Sequence, residues 1–269
     1  RIPTTAPQET LKALVYWFRE KEIEALGIGC FGPVDLRRGS KTYGYITTTP
    51  KPGWAWCDMA GTFRRALGVS VGFDTDVNAS VLGEVRFGQA RGLSTVLYLT
   101  VGTGIGLGVY LNGALHHGIL HPEAGHVLLS LHTEEHWKCR CPYHPNCLEG
   151  LACGPAIEER WGARAEELAQ RMEVWEMEAY YIAQALVDYI CILAPEKIIL
   201  GGGVMRQRQL FPLIRSEVHR LLGGYLAAEE LKDLDTYIVP ESLNGDQGIL
   251  GSLCLGAAEW AREHGGPEA

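Results

Sequence analysis

Short apolar runs alternate with longer amphipathic stretches along most of the chain. The runs that predict buried strands lie at residues 23–30, 69–73, 94–100, 107–111, 197–200 and 236–239. Helical spacing of apolar residues predicts helices over residues 9–18, 63–67, 76–84, 155–192, 210–218 and 248–263, with a break in the fourth near residues 172–175. Strands that alternate with helices indicate an α/β fold in which helices pack on sheets.

The first helix carries a recognisable start signal. Thr4 and Thr5 precede Pro7 and Glu9. This order predicts a hydroxyl cap, an early proline and an acidic first turn.

Two aspartates stand where the strand at residues 69–73 ends. In open α/β sheets, ligands gather outside the carboxyl ends of the strands. A carboxylate there can accept a hydroxyl proton and orient that oxygen for attack. Asp74 or Asp76 can also cap the helix that follows, and we expect one of the two to do so.

Residues 121–150 read HPEAGHVLLSLHTEEHWKCRCPYHPNCLEG and concentrate side chains that bind metals. Cys141, His144 and Cys147 follow at three-residue steps around a proline, which lets two thiolates and an imidazole turn toward one ion. Zinc prefers four nitrogen or sulfur ligands in a tetrahedron. His126 is the best fourth ligand, and Cys139 is the alternative.

A metal is not the only interpretation of these cysteines. They can also be buried thiols, or a disulfide in a secreted protein; no secretory segment opens the sequence, which disfavours the disulfide. A site closed by four protein ligands is typical of structural zinc. The ion would hold the loop and leave Glu123 and Glu149 available for a polyhydroxylated substrate.

Composition narrows the class of protein. The 269 residues are 46% apolar, which suits one large domain or two small ones with a full core. The net charge is −8 and no basic run occurs, so nucleic acid and anionic membranes are poor partners. No apolar stretch approaches the roughly 18 residues that span a bilayer. The thiols, without a signal peptide, predict a cytoplasmic protein.

Two glycine-rich turns offer backbone N–H groups to phosphate oxygens. Residues 102–106 (GTGIG) follow one predicted strand, but a plain hairpin needs glycine as well. Gly201, Gly202 and Gly203 lie between a strand and a helix, where a phosphate can approach a helix N-terminus. Neither turn has the Walker or dinucleotide-binding pattern.

Five motifs in this order resemble the ROK family of sugar kinases and repressors, and most closely its bacterial zinc-containing fructokinase branch. They are FDTDVNA at 73–79, TVGTGIG at 100–106, EAGH at 123–126, CPYHPNCLE at 141–149 and GGGVM at 201–205. The resemblance spans nearly the whole chain. It implies an actin-like, RNase H-like ATPase fold of two α/β domains flanking a cleft. We expect a small domain at residues 1–92 plus 247–269 and a large domain at 93–246.

The resemblance also implies roles for individual residues. Asp76 would be the general base on the sugar hydroxyl. The sugar site would be lined by Thr75, Glu123, His126 and Glu149. Structural zinc would be held by His126, Cys141, His144 and Cys147. ATP, with Mg²⁺ on its phosphates, would contact Gly102, Thr103, Gly104, Pro155, Gly201, Gly202, Gly203, Val204 and Met205.

One family motif has no counterpart in these residues. The family places an Asp-x-Gly-Gly-Thr phosphate loop in a hairpin ahead of the helix at Glu9. Either the sequence begins after that hairpin, or the protein lacks a phosphate loop. In the second case the barrier to phosphoryl transfer would rise by several kcal/mol.

The leading hypothesis is an ATP-dependent kinase that converts D-fructose to fructose 6-phosphate. The alternatives are a catalytically impaired sugar-binding protein, a glucose or mannose kinase, and a repressor, which would need a basic winged helix that this acidic sequence does not show. A homodimer is the habit of the family and is expected here.

Overall fold

The computed structural model describes residues 1–266. Contacts divide the described chain into two units. The first unit comprises residues 1–91, residues 115–122 and those from Ser242 onward, and the second comprises residues 92–114 and 123–241. The sequence-based division placed residues 115–122 in the large domain. The range 247–269 predicted for the small domain extends past the described residues.

Helices and strands alternate along much of the described chain, as the apolar pattern predicts, but β3, β4 and β5 are consecutive strands and α4, α5 and α6 are consecutive helices. The helices are α1 (Pro7–Arg19), α2 (Met59–Leu67), α3 (Asp76–Phe87), α4 (Leu148–Ala152), α5 (Gly154–Trp161), α6 (Met172–Leu193), α7 (Leu210–Leu222), α8 (Leu234–Tyr237) and α9 (Gln247–His264). The strands are β1 (Ala25–Cys30), β2 (Ser70–Thr75), β3 (Val96–Val101), β4 (Ile105–Leu111), β5 (Ala114–Leu115), β6 (Lys197–Gly201) and β7 (Ile238–Pro240). Short 3-10 turns lie at Ala124–His126, Val204–Arg206 and Glu230–Lys232.

The first unit contains a two-stranded parallel sheet. β1 pairs with β2 so that Cys30 lies beside Thr75 at the carboxyl edge. All six positions of β2 are buried, including the polar residues Ser70, Asp74 and Thr75. Trp54 and Phe63 belong to the apolar core beside the sheet. Because β2 runs directly into α3, the aspartates at this junction lie at the edge where ligands gather.

Helix α9 approaches β1, β2 and α3 at backbone distance. A Cβ atom on Gly27 would overlap the carbonyl oxygen of Ser252, and one on Gly72 would overlap that of Leu255. Further glycines do the same where α9 meets α3 and β1, so the close approaches are made by Gly27, Gly72, Gly83, Gly251 and Gly256. Any side chain at these crossings would force the helix away from the sheet.

The second unit is built on a sheet with the strand order β5-β4-β3-β6-β7. β3 pairs antiparallel with β4 and parallel with β6, and β6 pairs parallel with β7. The long helix α6 contributes fully buried side chains, including Trp175 and Leu186, to the core of this unit. Among residues 1–266, no helix is both long and apolar enough to cross a bilayer.

The predicted helix break near residues 172–175 is wrong. The interruption lies earlier, because Gly162 adopts φ 72° and ends α5 as a left-handed C-cap. Residues 172–175 instead form the first turn of α6, where Trp175 is buried and its Nε1 donates to the Leu168 carbonyl oxygen at 3.0 Å.

The predicted hydroxyl cap of α1 is also absent. Ala6 is the N-cap residue, and no side chain caps the helix. The Thr5 hydroxyl donates instead to Glu9 at 3.0 Å. Pro7 and Glu9 lie in the first turn, as predicted.

Candidate active site and metal centre

Thr75 caps α3, so the expectation that an aspartate does so is wrong. The Thr75 hydroxyl oxygen accepts from the Asn78 backbone N–H at 3.1 Å. Asp74 is buried, and its Oδ1 accepts from the Thr75 backbone N–H and from Asn78 Nδ2, both at 2.7 Å. Asp76 is the first residue of α3 and is not its N-cap.

The Asp76 carboxyl group lies at the first position of α3. Its Oδ1 accepts from the Val77 backbone N–H at 2.9 Å. The residue keeps an accessible surface, yet the protein atoms packed around it displace water, and this desolvation raises the pKa of the carboxyl above its ordinary value. A carboxylate with a raised pKa that solvent still reaches is suited to accept a proton.

His117 is a neighbour of this junction that no sequence motif indicates. Its Nε2 lies 2.8 Å from Asp74 Oδ2 and 3.4 Å from Asn78 Nδ2. The hydrogen bond to the buried carboxylate raises the pKa of His117. Asp74 and His117 lie 43 residues apart in sequence, so no local pattern could pair them. The three side chains tie the end of β2, the first turn of α3 and residues 115–122 together.

The structure brings the four predicted metal ligands together in the second unit. One ligand atom from each of His126, Cys141, His144 and Cys147 lies within 4.8 Å of all the others. Cys141 Sγ is 3.4 Å from His144 Nδ1 and 3.9 Å from His126 Nδ1, and Cys147 Sγ is 3.6 Å from the same atom of His126. A tetrahedral zinc with bonds of about 2.0–2.3 Å separates its ligands by roughly 3.3–3.8 Å. The donor set therefore fits zinc in both chemistry and spacing.

Cys139 lies outside this group of four. It is buried, and its sulfur occupies the space where a side chain on Gly150 would sit. Its position is that of a packing residue under the loop.

Burial affects the ionisation of one thiol in the metal group, that of Cys147. Desolvation raises the pKa of Cys147 to about 12. A metal ion that binds this sulfur must therefore displace a proton, so its apparent affinity increases with pH.

The two nitrogens of His126 face different partners. Nδ1 faces the sulfur atoms of Cys141 and Cys147, whereas Nε2 lies 3.9 Å from Glu149 Oε1. The ring can thus serve a metal on one edge and a substrate on the other. Glu123 precedes the turn at residues 124–126, and its carbonyl oxygen accepts from the His126 backbone N–H at 3.0 Å.

Three segments of the predicted nucleotide site meet in the second unit. The Gly102 carbonyl oxygen accepts from the Gly154 backbone N–H at 2.7 Å, at the start of α5 where Pro155 occupies the first turn. A Cβ on Gly102 would lie 3.7 Å from the Gly203 nitrogen. The turn after β3, the N-terminus of α5 and the turn after β6 are therefore neighbours.

The three glycines at the end of β6 and directly after it have different structural roles. Gly202 has φ 93°, and a Cβ there would press on the Val101 carbonyl oxygen and on the Thr100 hydroxyl. A Cβ on Gly201 would overlap the Tyr98 hydroxyl. A Cβ on Gly203 would meet nothing within 4 Å, so the space above Gly203 is open to a ligand.

Val204 and Met205 have buried side chains. They could contact a nucleotide only through their backbone atoms. Thr103 is exposed at the tip of the turn after β3.

Solved structures similar to this chain define its fold as the actin-like ATPase fold of ROK sugar kinases. A ROK hexokinase from Thermus thermophilus superposes with a TM-score of 0.79 at 26% identity, over 96% of this chain and 89% of that one. A ROK family glucokinase from Streptomyces griseus, solved in complex with glucose and AMPPNP, gives a TM-score of 0.75 at 22% identity, over 94% and 89% of the two chains.

Residues 1–259 match the ROK family, and the chain belongs to that family. A fructokinase from Pediococcus pentosaceus is 44% identical over 96% of this chain and 88% of its own length. A fructokinase from Lactococcus lactis subsp. cremoris is 43% identical over 98% and 90% of the two chains.

Proposed function

We propose that the protein is an ATP-dependent hexose kinase that converts D-fructose to fructose 6-phosphate, with Asp76 as the general base. The observation that carries this proposal is the Asp76 carboxylate, which is accessible, has a raised pKa and lies at the carboxyl edge of a parallel sheet. Family membership and the fructokinase relatives support the reaction and the choice of sugar.

In this reaction Asp76 accepts the proton of the sugar 6-hydroxyl group. The oxygen of that hydroxyl group attacks the γ-phosphorus of ATP at the same time. The bond from that phosphorus to the bridging oxygen breaks, and ADP leaves with the bond's electron pair. Phosphoryl transfer depends on positioning and charge neutralisation more than on covalent help from the protein. Mg²⁺, bound to the phosphates, would supply part of that neutralisation.

The sugar hydroxyls would be bound by Thr75, Glu123, His126 and Glu149. Thr75 is buried and its oxygen already accepts one hydrogen bond, which leaves its hydroxyl proton and a second lone pair for a substrate. Carboxylates and an imidazole suit a polyol because they accept and donate hydrogen bonds at fixed positions.

Structural zinc would be held by His126, Cys141, His144 and Cys147, whose spacing fits that ion. The ion would supply no chemistry to the reacting atoms, because four protein ligands close its coordination. Bound by these residues, the zinc ion would instead fix the loop that carries His126 and leads into Glu149.

The test of this function is ADP release from the full-length protein with fructose, glucose and mannose in parallel. We expect the highest kcat/KM with fructose. A clear preference for glucose or mannose would contradict the assignment of the sugar. Sugar binding without ADP release from any hexose would favour the impaired, sugar-binding alternative. The homodimer and the cytoplasmic location stay predictions.

Replacing Gly203 with valine is expected to raise the KM for ATP at least about tenfold and to leave fructose affinity nearly unchanged. The added side chain would occupy the open space above Gly203, and it would block the close approach that a glycine permits. Steady-state kinetics with each substrate varied in turn would measure both constants.

Gly39→Val is the matched control, because a Cβ on Gly39 also meets nothing within 4 Å. Gly202 is a poor test position, since its positive φ would strain any side chain whatever binds there. An unchanged KM for ATP in Gly203→Val would remove this turn from the nucleotide site.

A further inference from the structure

The Glu149 carboxylate contacts the glycine turn as well as His126. Its Oε2 accepts from the Ile105 backbone N–H at 2.9 Å. A Cβ added to Gly104 would lie only 2.7 Å from the same oxygen. Oε1, the other oxygen, lies 3.9 Å from His126 Nε2. The Glu149 side chain therefore connects the His126 imidazole to the backbone of Ile105, directly after the glycine turn.

Gly125 makes a second contact with the same backbone. A Cβ on Gly125 would overlap the Ile105 carbonyl oxygen. The turn at residues 124–126 thus rests directly on Ile105, whose N–H group is held by Glu149. The Ile105 N–H group thus contacts a proposed sugar ligand, Glu149, and its carbonyl oxygen faces Gly125, the residue before His126.

The turn itself leaves little room for independent movement. The Gly102 backbone N–H donates to the Gly104 carbonyl oxygen at 2.9 Å, and the Gly102 carbonyl oxygen accepts from Gly154 at the start of α5. A shift of Ile105 would therefore be transmitted to the N–H groups of the turn. Contiguous packed and hydrogen-bonded contacts of this kind are a physical route for coupling between sites.

We propose that Glu149 is a positioning residue for the nucleotide turn, in addition to its part in sugar binding. Through Ile105 it holds the turn at residues 102–104 in the geometry that receives the nucleotide. The affinities for sugar and nucleotide then depend on one side chain. Linkage requires this coupling to be reciprocal. The identities of the two ligands rest on the proposed function, whereas the contact with Ile105 does not.

The first test is the binding of ADP without sugar, measured by isothermal titration. Glu149→Ala removes the acceptor for Ile105 and should raise the Kd for ADP about five- to tenfold. Glu149→Gln keeps an oxygen that can accept from Ile105, so its Kd should stay within about threefold of the wild-type value. If Glu149 acted only as a sugar ligand, the alanine variant would bind ADP as the wild type does, and the proposal would fail.

The second test runs in the opposite direction and uses a residue outside the proposed sugar ligands. Gly104→Ala places a methyl group against Glu149 Oε2 and should weaken fructose binding about fivefold with no nucleotide present. In the Gly104→Ala, Glu149→Ala double variant the losses in ADP affinity should not add, because both changes break the same contact. Unchanged fructose affinity in Gly104→Ala would overturn the coupling.

Hydrogen exchange reports on the contact independently of any ligand. Loss of the bond to a charged acceptor should speed exchange at Ile105 at least about tenfold in Glu149→Ala and leave the amides of β6 unchanged. If the alanine variant does not fold, Gly104→Ala provides the same readout. Unaltered exchange at Ile105 in a folded variant would contradict the proposal.

These outcomes separate the inference from the function on which it rests. If the wild type phosphorylates fructose but Glu149→Ala binds ADP with an unchanged Kd, the role of Glu149 in positioning the turn is refuted and the proposed function is not. If Glu149→Ala shows faster exchange at Ile105 and weaker ADP binding but the wild type phosphorylates no hexose, the proposed function is refuted and the role of Glu149 is not.

Discussion

Replacing Asp76 with asparagine should lower kcat for fructose at least about 100-fold, since a general base contributes roughly 10²–10⁴-fold to the rate. Asparagine keeps the shape of the side chain and an oxygen for the Val77 backbone N–H. The melting temperature and the Kd for fructose should therefore change little. Stopped or coupled kinetics, thermal unfolding and titration calorimetry measure the three quantities.

The pH dependence gives the same substitution a second readout. Asp76 must be ionised to accept a proton, so kcat should fall as the pH drops through the pKa of its carboxyl. Desolvation raises that pKa above the ordinary 3.8, which moves the acidic limb of the rate profile upward by the same amount. Asp76→Asn should lack this limb.

Asp58→Asn is the matched control for Asp76→Asn. Asp58 also begins a helix, and its Oδ1 accepts from the Gly61 backbone N–H at 2.8 Å. Asparagine caps helices about as well as aspartate, so this variant should retain wild-type kcat. Near-wild-type turnover in Asp76→Asn would show that Asp76 is not the base.

Replacing Cys141 with serine should abolish stoichiometric zinc, lower the melting temperature and weaken fructose binding. We expect about one zinc per chain in the wild type, because the four ligands form a single closed set. The binding energy of a structural metal is also folding energy, so a lost ligand destabilises the loop that carries His126. Elemental analysis, thermal unfolding and calorimetry measure the three effects.

Cys139→Ser tests the ligand assignment, because Cys139 is the alternative fourth ligand but lies outside the group of four. That variant should keep its zinc. Cys191→Ser, at an exposed thiol, controls for the loss of any cysteine. Active wild-type protein without metal, or loss of zinc in Cys139→Ser equal to that in Cys141→Ser, would refute the assignment.

The sequence predicted those parts of the fold that depend on local periodicity. The predicted strands and most predicted helices agree with the structure within a few residues, because apolar spacing reflects which face of an element is buried. The short elements α4, α8 and β5 were not predicted. The helix break was misplaced because the pattern at residues 172–175 does not show that Trp175 is buried by the core. Only Gly162 marked the true end of α5, and a single glycine is a weak signal.

In the candidate site, too, only the features that depend on local sequence spacing could be predicted. Cys141, His144 and Cys147 are close in sequence, so their spacing predicted the cluster that the structure shows. The pairing of His117 with Asp74 depends on how distant segments meet, and no local pattern encodes it.

Gly201, Gly202 and Gly203 look alike in sequence and differ only in backbone angle and surroundings. Gly202 has φ 93° and would strain any side chain, whereas the space above Gly203 is open. Only the folded chain separates a glycine required by the backbone from one that a ligand can approach.

The glycine contacts of α9 also bear on how this protein can diversify. At Gly27, Gly72 and Gly251, even one methyl group would collide with a backbone carbonyl of the facing element. A larger residue fits at these positions only if the two packed elements separate, which a single substitution does not achieve. Laboratory evolution of new sugar preferences should therefore accumulate changes in the loops and leave this framework untouched. A library that spares the α9 contacts should yield a larger fraction of folded variants than one that samples them.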